Sequence, residues 1–251
     1  MTTIKSLNKK NILIPGGGGE IGQNIAKSAS EAGAGVTIWD KRTADKSQDN
    51  YHYQIIDTSD EKAVRAAFTE LEQEDKLPDI LINCVGLFTY LKPFTALELN
   101  EFTKLFQVNT VSCFLTCREA LRRYKEKLTI INLSSALSQK AIPLTAAYSA
   151  SKAAIDSLTR AIAGEYGQKG VMAVSINPGP VAGAMLDNGV KEIAALVGAP
   201  EQAIRQQILD VIPSGSLTAK EEISSLALFI AMNKAPSLQG KQINLDGGFT
   251  L

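Results

Sequence analysis

The chain contains very little histidine and cysteine, and this scarcity excludes several kinds of site. Its 251 residues include one His and three Cys. A single imidazole rules out the zinc motifs that use paired histidines. Three cysteines are too few for a disulfide framework in a chain of this length. We therefore expect no metal site and a reducing compartment, the cytoplasm.

Net charge and long apolar runs are absent as well. The 26 Lys and Arg residues balance 26 Asp and Glu residues, so the formal net charge is zero. A neutral chain is a poor binder of nucleic acids or anionic membranes by charge. The longest unbroken apolar run, Leu226–Met232, is far shorter than the ~20 residues of a membrane-spanning helix. We expect neither nucleic-acid nor membrane partners.

Short β-rich runs alternate with longer runs of helical periodicity. The predicted strands are Asn11–Pro15, Gly35–Asp40, Tyr53–Asp57, Asp79–Val85, Leu128–Leu133, Met172–Asn177 and Lys241–Asp246. The predicted helices are Glu20–Ala32, Asp60–Glu74, Leu97–Lys125, Ala147–Tyr166 and Ala219–Met232. Such alternation predicts an α/β fold, in which a doubly wound parallel sheet carries helices on both faces.

No repeat or linker divides the chain, so residues 1–251 are predicted to form a single domain. Residues 182–216 are helix-prone but have no clear strand of their own. We interpret them as an insertion on the substrate side of the site, in the position of a lid.

A glycine-rich turn joins the first strand to the first helix. Pro15 is followed by four consecutive glycines, Gly16 to Gly19, and then by Glu20, Ile21 and Gly22. A strand–glycine–helix unit lets the backbone approach a pyrophosphate that lies on the helix N-terminus. A plain flexible turn is the alternative interpretation.

Acidic residues at the ends of the next two strands favour the nucleotide interpretation. Asp40 ends the second strand, 18 residues after Gly22, where a carboxylate can accept hydrogen bonds from an adenosine ribose. Asp57 and Thr58 end the third strand, where the carboxylate could meet an adenine amino group. An exposed carboxylate at Asp40 and a helix cap at Asp57 are the alternatives.

Tyr148 and Lys152 stand four positions apart in a predicted helix, so both project from one face. A phenol with a pKa near ~10 is a poor acid or base at neutral pH. A cation at ~4 Å, with an effective dielectric of ~20, supplies about the 4 kcal/mol needed to lower that pKa by ~3. The pair therefore suits proton exchange with an alcohol or ketone. A surface Tyr beside a solvated Lys is the alternative.

Two further polar residues are candidates for the same chemistry. Ser135 follows the strand Leu128–Leu133, at the edge where open α/β sheets bind ligands. Its hydroxyl could hold a substrate oxygen, although Ser134 is equally suitable on chemistry alone. Asn109 lies inside a predicted helix, where Asn is a mediocre helix former. A helix-surface role is its alternative.

In their order along the chain, these residues resemble the short-chain dehydrogenase/reductase family over essentially the whole length. The residues that carry the resemblance are Gly16–Gly22, Asp57, Asn83-Cys84-Val85-Gly86, Asn109, Ser135, Tyr148-x-x-x-Lys152, Asn177-Pro178-Gly179 and Asp246-Gly247-Gly248. The resemblance implies a Rossmann-type sheet of seven parallel strands, a nicotinamide cofactor and a homo-oligomer, commonly a tetramer or dimer. It also selects Ser135 over Ser134.

The same resemblance implies the role of each site residue. Tyr148 would donate or accept the proton, while Lys152 would lower its pKa and hold the nicotinamide ribose. Ser135 would position the substrate oxygen, and Asn109 would support a water relay from Lys152. The implied cofactor-binding residues are Gly16, Gly19, Ile21, Gly22, Asp40, Asp57, Thr58, Asn83, Gly86, Tyr148, Lys152, Pro178, Gly179 and Val181.

The chain departs from the family pattern at several positions near the cofactor. Pro15 replaces a Thr, and Glu20 replaces the middle glycine of the turn. Val85 replaces a smaller Ala, and Gly183 stands where the family often has a Thr that binds the carboxamide. These changes put cofactor affinity in doubt more than they do the chemistry.

Asp40 favours NAD over NADP, because a carboxylate beside a 2′-phosphate costs about 4 kcal/mol at ~4 Å and a dielectric of ~20. Lys41 and Arg42 follow directly and could offset part of this cost. We expect an oxidoreductase that acts on a secondary alcohol or ketone, and a 3-oxoacyl thioester is one candidate substrate. A non-catalytic dinucleotide-binding sensor or scaffold is the rival hypothesis.

Overall fold

Seven parallel strands form one sheet. The computed structural model describes residues 7–42 and 51–251. The strands are β1 (Asn11–Pro15), β2 (Gly35–Asp40), β3 (His52–Ile55), β4 (Ile80–Asn83), β5 (Leu128–Leu133), β6 (Val171–Pro178) and β7 (Gln242–Leu245). Their order in the sheet is β3-β2-β1-β4-β5-β6-β7. The predicted α/β doubly wound architecture is confirmed, with the topological switch point between β1 and β4.

The third strand is shorter than predicted. The prediction ran to Asp57, whereas β3 ends at Ile55. Asp57 accepts hydrogen bonds from the backbone N–H and the hydroxyl of Ser59, at 2.9 and 2.6 Å. This Asx turn bends the chain out of the sheet just before the next helix begins.

Most of the helices lie where the hydrophobic periodicity predicts them. They are α1 (Glu20–Glu31), α2 (Glu61–Gln73), α3 (Leu99–Phe106), α4 (Ser112–Arg123), α5 (Ala146–Tyr166), α6 (Ala184–Val197), α7 (Glu201–Asp210) and α8 (Lys220–Ala231). The helix-prone residues 182–216 thus contain α6 and α7. No helix among the described residues combines the length and apolar character needed to cross a bilayer.

The prediction of one uninterrupted helix over Leu97–Lys125 is wrong. A π-helical turn, Gln107–Val111, separates α3 from α4. Within this turn Asn109 is fully buried, and its side chain bonds both backbone groups of Leu87, at 2.7 and 3.1 Å. The hydrogen bonds between the Asn109 amide and Leu87 compete with regular α-helical geometry. The wider π turn lets this amide point into the protein.

Apolar side chains alternate between the two faces of the sheet. On one face Ile12 and Ile14 of β1 pack with Ile25 of α1 and Ile223 of α8. On the other face Leu13 packs in a second core with residues of α2, α4 and α5. The inner strands β1, β4, β5 and β6 are almost entirely buried, as expected for parallel strands covered on both faces. The carboxyl edge of the sheet stays open for a ligand.

Candidate active site

A cavity of about 710 Å³ opens at the carboxyl ends of the central strands. The predicted site residues line it, with two exceptions, Asn83 and Asn109. Residues far apart in the chain meet here, because parallel strands end at a common edge. The cavity is bounded on the outer side by residues of α6 and α7.

The glycine turn has the close contacts that only glycine permits. Gly16 has φ +77°, and a Cβ there would lie 2.6 Å from the backbone nitrogen of Val85. A Cβ on Gly22 would lie 2.6 Å from the Cα of Gly17. Gly19 caps α1 without any side-chain hydrogen bond to the first helical N–H groups. Those free donors at the cavity fit a pyrophosphate.

Glu20 points away from this anion site. One carboxylate oxygen accepts from the backbone N–H of Ala184, at 3.0 Å, and the other from Lys220 Nζ, at 2.9 Å. These two hydrogen bonds, led by that from Ala184, lower the pKa of the carboxyl group below its ordinary value. The replacement of glycine by Glu20 therefore leaves the helix N-terminus free for a phosphate.

Asp40 is buried and already holds a partner. Both of its oxygens accept from the Arg42 guanidinium, at 3.0 and 3.1 Å, and one also accepts from Gly18 N–H at 3.1 Å. Burial raises the pKa of Asp40, but the hydrogen bonds to Arg42 and the charge of Arg42 outweigh it, so the pKa is lowered overall. Arg42 thus partly neutralises the Asp40 carboxylate.

Asp57 and Thr58 line the same end of the cavity, whereas Asn83 turns its side chain away. The Asn83 amide donates to Asn132 at 2.8 Å and accepts from Thr116 Oγ1 at 2.7 Å. This buried network ties β4 to β5 and α4. Asn83 therefore supports the cavity from behind and does not present its side chain to it.

Tyr148 lies deep in the cavity, beside Ser135. The Ser135 hydroxyl accepts from the backbone N–H of Leu137 at 3.1 Å, whereas Ser134 donates to the Lys152 carbonyl at 3.0 Å. The Tyr148 ring packs edge-on against Phe88, with 4.7 Å between centroids. Burial raises the pKa of Tyr148 to about 12, although the neighbouring Ser135 side chain lowers it in part. The phenol is therefore in its proton-donating form at neutral pH.

Lys152 follows one turn later on α5 and is almost fully buried. Its ammonium donates to the Leu133 carbonyl at 2.9 Å and lies 5.9 Å from the centroid of the Tyr148 ring. Burial lowers the pKa of Lys152 to about 8. The nearby Cys113, Asp156 and Cys84 act in the opposite direction, but their effect is smaller. Lys152 was expected to lower the pKa of Tyr148, but in this arrangement of the two side chains the pKa of Tyr148 is raised.

Asn109 connects this site to the rest of the molecule. In addition to the backbone of Leu87, it donates to Ser151 Oγ at 2.9 Å, and Ser151 donates to the Tyr148 carbonyl at 2.7 Å. Asn109 therefore clamps the segment after β4 onto α5. This placement, behind the cavity wall, was not apparent from its position in a predicted helix.

Several lining residues escaped the sequence analysis, among them Lys220, Gln207 and Phe249. Lys220 pairs with Glu20, which precedes it by 200 positions. No local pattern identifies such a partner. The helical periodicity of residues 201–210 was a usable signal for Gln207, since α7 lies in the segment interpreted as the lid.

A family model described as enoyl-(acyl carrier protein) reductase matches residues 18–250. That match spans nearly the entire chain. The chain belongs to the short-chain dehydrogenase/reductase family. Members of this family of oxidoreductases use nicotinamide cofactors.

Two named relatives align with this short-chain dehydrogenase/reductase over almost its whole length. It is 26% identical to a 3beta-hydroxysteroid dehydrogenase of Mediterraneibacter gnavus, with 97% of this chain and 95% of that protein aligned. It is 30% identical to a 2-keto-3-deoxy-L-fuconate dehydrogenase of Xanthomonas campestris pv. campestris, over 97% of this chain and 81% of that protein. Among solved structures, NAD+-bound xylitol dehydrogenase superimposes with a TM-score of 0.91, at 22% identity over 96% of this chain and 99% of that one.

Proposed function

We propose that this enzyme transfers a hydride between a nicotinamide cofactor and a secondary alcohol or ketone, with Tyr148 as general acid and base. The observation that carries the proposal is that Tyr148, Ser135 and Lys152 line one cavity, with Lys152 one helical turn after Tyr148. A bound nicotinamide supplies or takes up the hydride. The chain's own residues orient the substrate oxygen and move the proton.

The proton step follows from the state of Tyr148. Because its pKa is about 12, the phenol holds a proton that it can give to a ketone oxygen during reduction. Oxidation of an alcohol needs the phenolate, which must be stabilised by a nearby cation. We assign that task to Lys152, which would also hold the nicotinamide ribose. Ser135 would hold the substrate oxygen beside the phenol.

Asn109 would support the relay that returns protons to Lys152. Its hydrogen bonds to Leu87 and Ser151 support a role in fixing the geometry of that relay. The glycine turn would hold the pyrophosphate, with Gly16, Gly19, Ile21 and Gly22 at the N-terminus of α1. Gly86, Pro178, Gly179 and Val181, which line the nearby cavity wall, would complete the cofactor site.

We assign NAD as the preferred cofactor, on the carboxylate of Asp40. Asp57 and Thr58 would meet the adenine. The Arg42 guanidinium on Asp40 weakens the repulsion of a 2′-phosphate, so the preference is a matter of degree. A cytoplasmic location accords with the three free thiols in the described residues.

The test replaces Tyr148 with Phe, which removes one oxygen atom. We expect kcat to fall by about 100-fold or more on every responsive ketone or alcohol. Binding of NADH, followed through the fluorescence of the single Trp39, should weaken far less than kcat falls, because Tyr148 is one of many predicted cofactor contacts. Tyr166→Phe, at the far end of the same helix, is the matched control and should keep full activity.

Surviving activity in Tyr148→Phe would contradict the assigned mechanism. The rival hypothesis is a dinucleotide-binding sensor without turnover. It predicts tight NADH binding by the wild type together with no hydride transfer to any ketone of the tested series. The intact set of Tyr148, Lys152, Ser135 and Asn109 disfavours this rival, because a pure binder needs no proton relay.

We also propose a homo-oligomer, a tetramer or dimer, and a lid formed by residues 182–216. Exposed apolar side chains on α3 and α4, among them Leu99, Phe102 and Phe114, support self-association. The lid assignment is supported by the cavity lining that α6 and α7 contribute.

A further inference from the structure

Charged residues are distributed unevenly around the cavity. Those that line it, apart from Lys152 beside Tyr148, lie around the glycine turn and the ends of β2 and β3; they are Glu20, Asp40, Lys41, Arg42, Asp57, Lys104 and Lys220. Beyond Tyr148, the lining contributed by residues 7–42 and 51–251 contains no charged side chain. The half of the cavity left for the substrate is therefore electrically neutral.

Apolar side chains form the walls of that substrate half. Leu137, Ile142 and Phe249 belong to one apolar cluster, and Leu186 and Ile204 belong to another. Ile208 of α7 contacts both clusters, so the two walls are continuous. A substrate body that enters here exchanges water for hydrocarbon, which favours apolar groups.

The nearest polar groups offer no counterion. The Thr145 hydroxyl donates to the Ile142 carbonyl at 2.8 Å. Lys140 lies behind Phe249, where its ammonium donates to the Phe249 carbonyl and sits 4.6 Å from the ring centroid. Gln207 is exposed, and its side chain has no hydrogen bond within the described part of the chain. An amide can bond a distal hydroxyl or carbonyl, but it does not neutralise a charge.

We propose that the substrates are uncharged secondary alcohols and ketones with an apolar ring or alkyl body, and that hydroxy acids, keto acids and phosphorylated sugars are excluded. Burying a carboxylate without a partner charge is strongly unfavourable. This inference rests on the proposed hydride transfer and names its substrate class.

The test compares 4-methylcyclohexanone with 4-oxocyclohexanecarboxylate, which differ at one substituent, a neutral methyl against a charged carboxylate. We expect kcat/KM with NADH to be about 100-fold higher for the methyl compound. Equal or higher efficiency on the acid would overturn the substrate class while leaving hydride transfer intact. No turnover of either compound, or of any longer neutral ketone, would overturn the proposed function and this inference with it.

A charge introduced at Gln207 gives a second, independent measurement. Gln207→Arg should raise kcat/KM for the acid by about tenfold and lower the selectivity for the methyl compound. Gln206→Arg adds the same charge one residue away, outside the cavity lining, and should change neither value. An equal response in both variants would refute the neutral-pocket argument, because it would reflect net charge alone.

A separate observation concerns Glu20 and Gly183, two departures from the family pattern. The Glu20 carboxylate accepts from Ala184, the first residue of α6, whose preceding residue is Gly183. Gly183 has φ +147°, and a Cβ there would overlap the Glu20 carboxylate in the position that it holds, so a side chain at 183 would have to displace this carboxylate. The two departures are therefore coupled in space.

We infer that Glu20 is a positioning residue that caps α6 from the glycine turn and takes the place of a side-chain cap at position 183. Lys220 holds the other carboxylate oxygen, so the contact joins the first residues of α1, α6 and α8. The α6 wall of the cavity is thereby fixed to the proposed cofactor site.

A double-mutant cycle on the ligand-free protein tests this coupling. Glu20→Gly should speed amide hydrogen exchange in the first turn of α6 by about tenfold, and Gly183→Thr should do at least as much. The double variant should exchange more slowly and bind NADH more tightly than Gly183→Thr alone. Additive damage would overturn the inference. Glu221→Ala, which removes an α1–α8 contact to Asn24, should leave α6 unchanged.

Discussion

Lys152 keeps its ammonium in surroundings that disfavour charge, and the consequence can be measured by titration. The change in pKa from 10.5 to about 8 means that the buried ammonium costs the folded state about 3 kcal/mol at neutral pH. Below pH 8 both the folded and unfolded chains are protonated and the folded state bears the whole penalty. Between the two pKa values the unfolded chain holds the extra proton, so stability rises with pH.

We therefore predict that Lys152→Met raises the free energy of unfolding at pH 7 by about 1–3 kcal/mol, since the lost hydrogen bond to Leu133 offsets part of the gain. The rise in stability between pH 8 and 10.5 should disappear. Urea titrations across this range would measure both effects. Lys169→Met, in the exposed turn that follows α5, is the control. Lower stability of Lys152→Met at pH 7 would contradict the prediction.

The Asp40 carboxylate leads to a prediction about the choice between NADH and NADPH. Asp40→Asn removes the carboxylate and frees Arg42 to meet a 2′-phosphate. We expect the ratio of kcat/KM for NADPH to that for NADH to rise about tenfold or more. Lys41→Met, one residue along the chain, should lower the use of NADPH slightly or not at all. An unchanged ratio in Asp40→Asn would show that the ribose is held elsewhere.

At the scale of elements, regular strands and helices could be predicted from periodicity alone, because burial of one face or both dictates the pattern. The π turn around Asn109 could not, since its cause is a contact with Leu87, 22 residues away. The same limit applies to Glu20, whose carboxylate caps α6 across 164 positions. Irregular elements follow from tertiary partners that a local pattern does not contain.

Asn109→Ala should show what the π turn contributes. It removes three hydrogen bonds from a buried amide and leaves the Leu87 backbone unpartnered. We predict a loss of about 2–4 kcal/mol of stability, measured by urea unfolding. Asn100→Ala, on the exposed surface of α3, is the control, with an expected loss below about 1 kcal/mol. Equal losses in the two variants would mean that the clamp on Leu87 is dispensable.

At the scale of the whole molecule, the positions of most site residues could be predicted, because strand ends in a parallel sheet converge on one edge. The side-chain directions could not. Asn83 and Asn109 turn away from the cavity, Lys152 bonds a carbonyl, and Asp40 is held by Arg42. Such directions depend on competing partners that appear only when the chain is folded.

Self-association is the prediction that belongs to this scale. Phe114 is 42% exposed on α4, with the Arg118 guanidinium 5.2 Å from its ring centroid. If this face joins subunits, Phe114→Asp should reduce the assembly by at least one order, from tetramer to dimer or from dimer to monomer. Sedimentation velocity would measure the change. Val197→Asp, on a different exposed apolar site, should leave the assembly intact; a monomeric wild type would contradict the oligomer.

Strand β1 lies between β2 and β4 in the sheet and runs parallel to both. Its pairing with β4 places Ile12 opposite Ile80. The middle of the sheet can therefore form only after the long chain segment between these two residues has closed into a loop. Closing this loop costs conformational entropy before the stabilising contacts between β1 and β4 can form, and this slows folding. During synthesis, therefore, the glycine turn emerges early but remains without its supporting strand until the chain has extended well past β4.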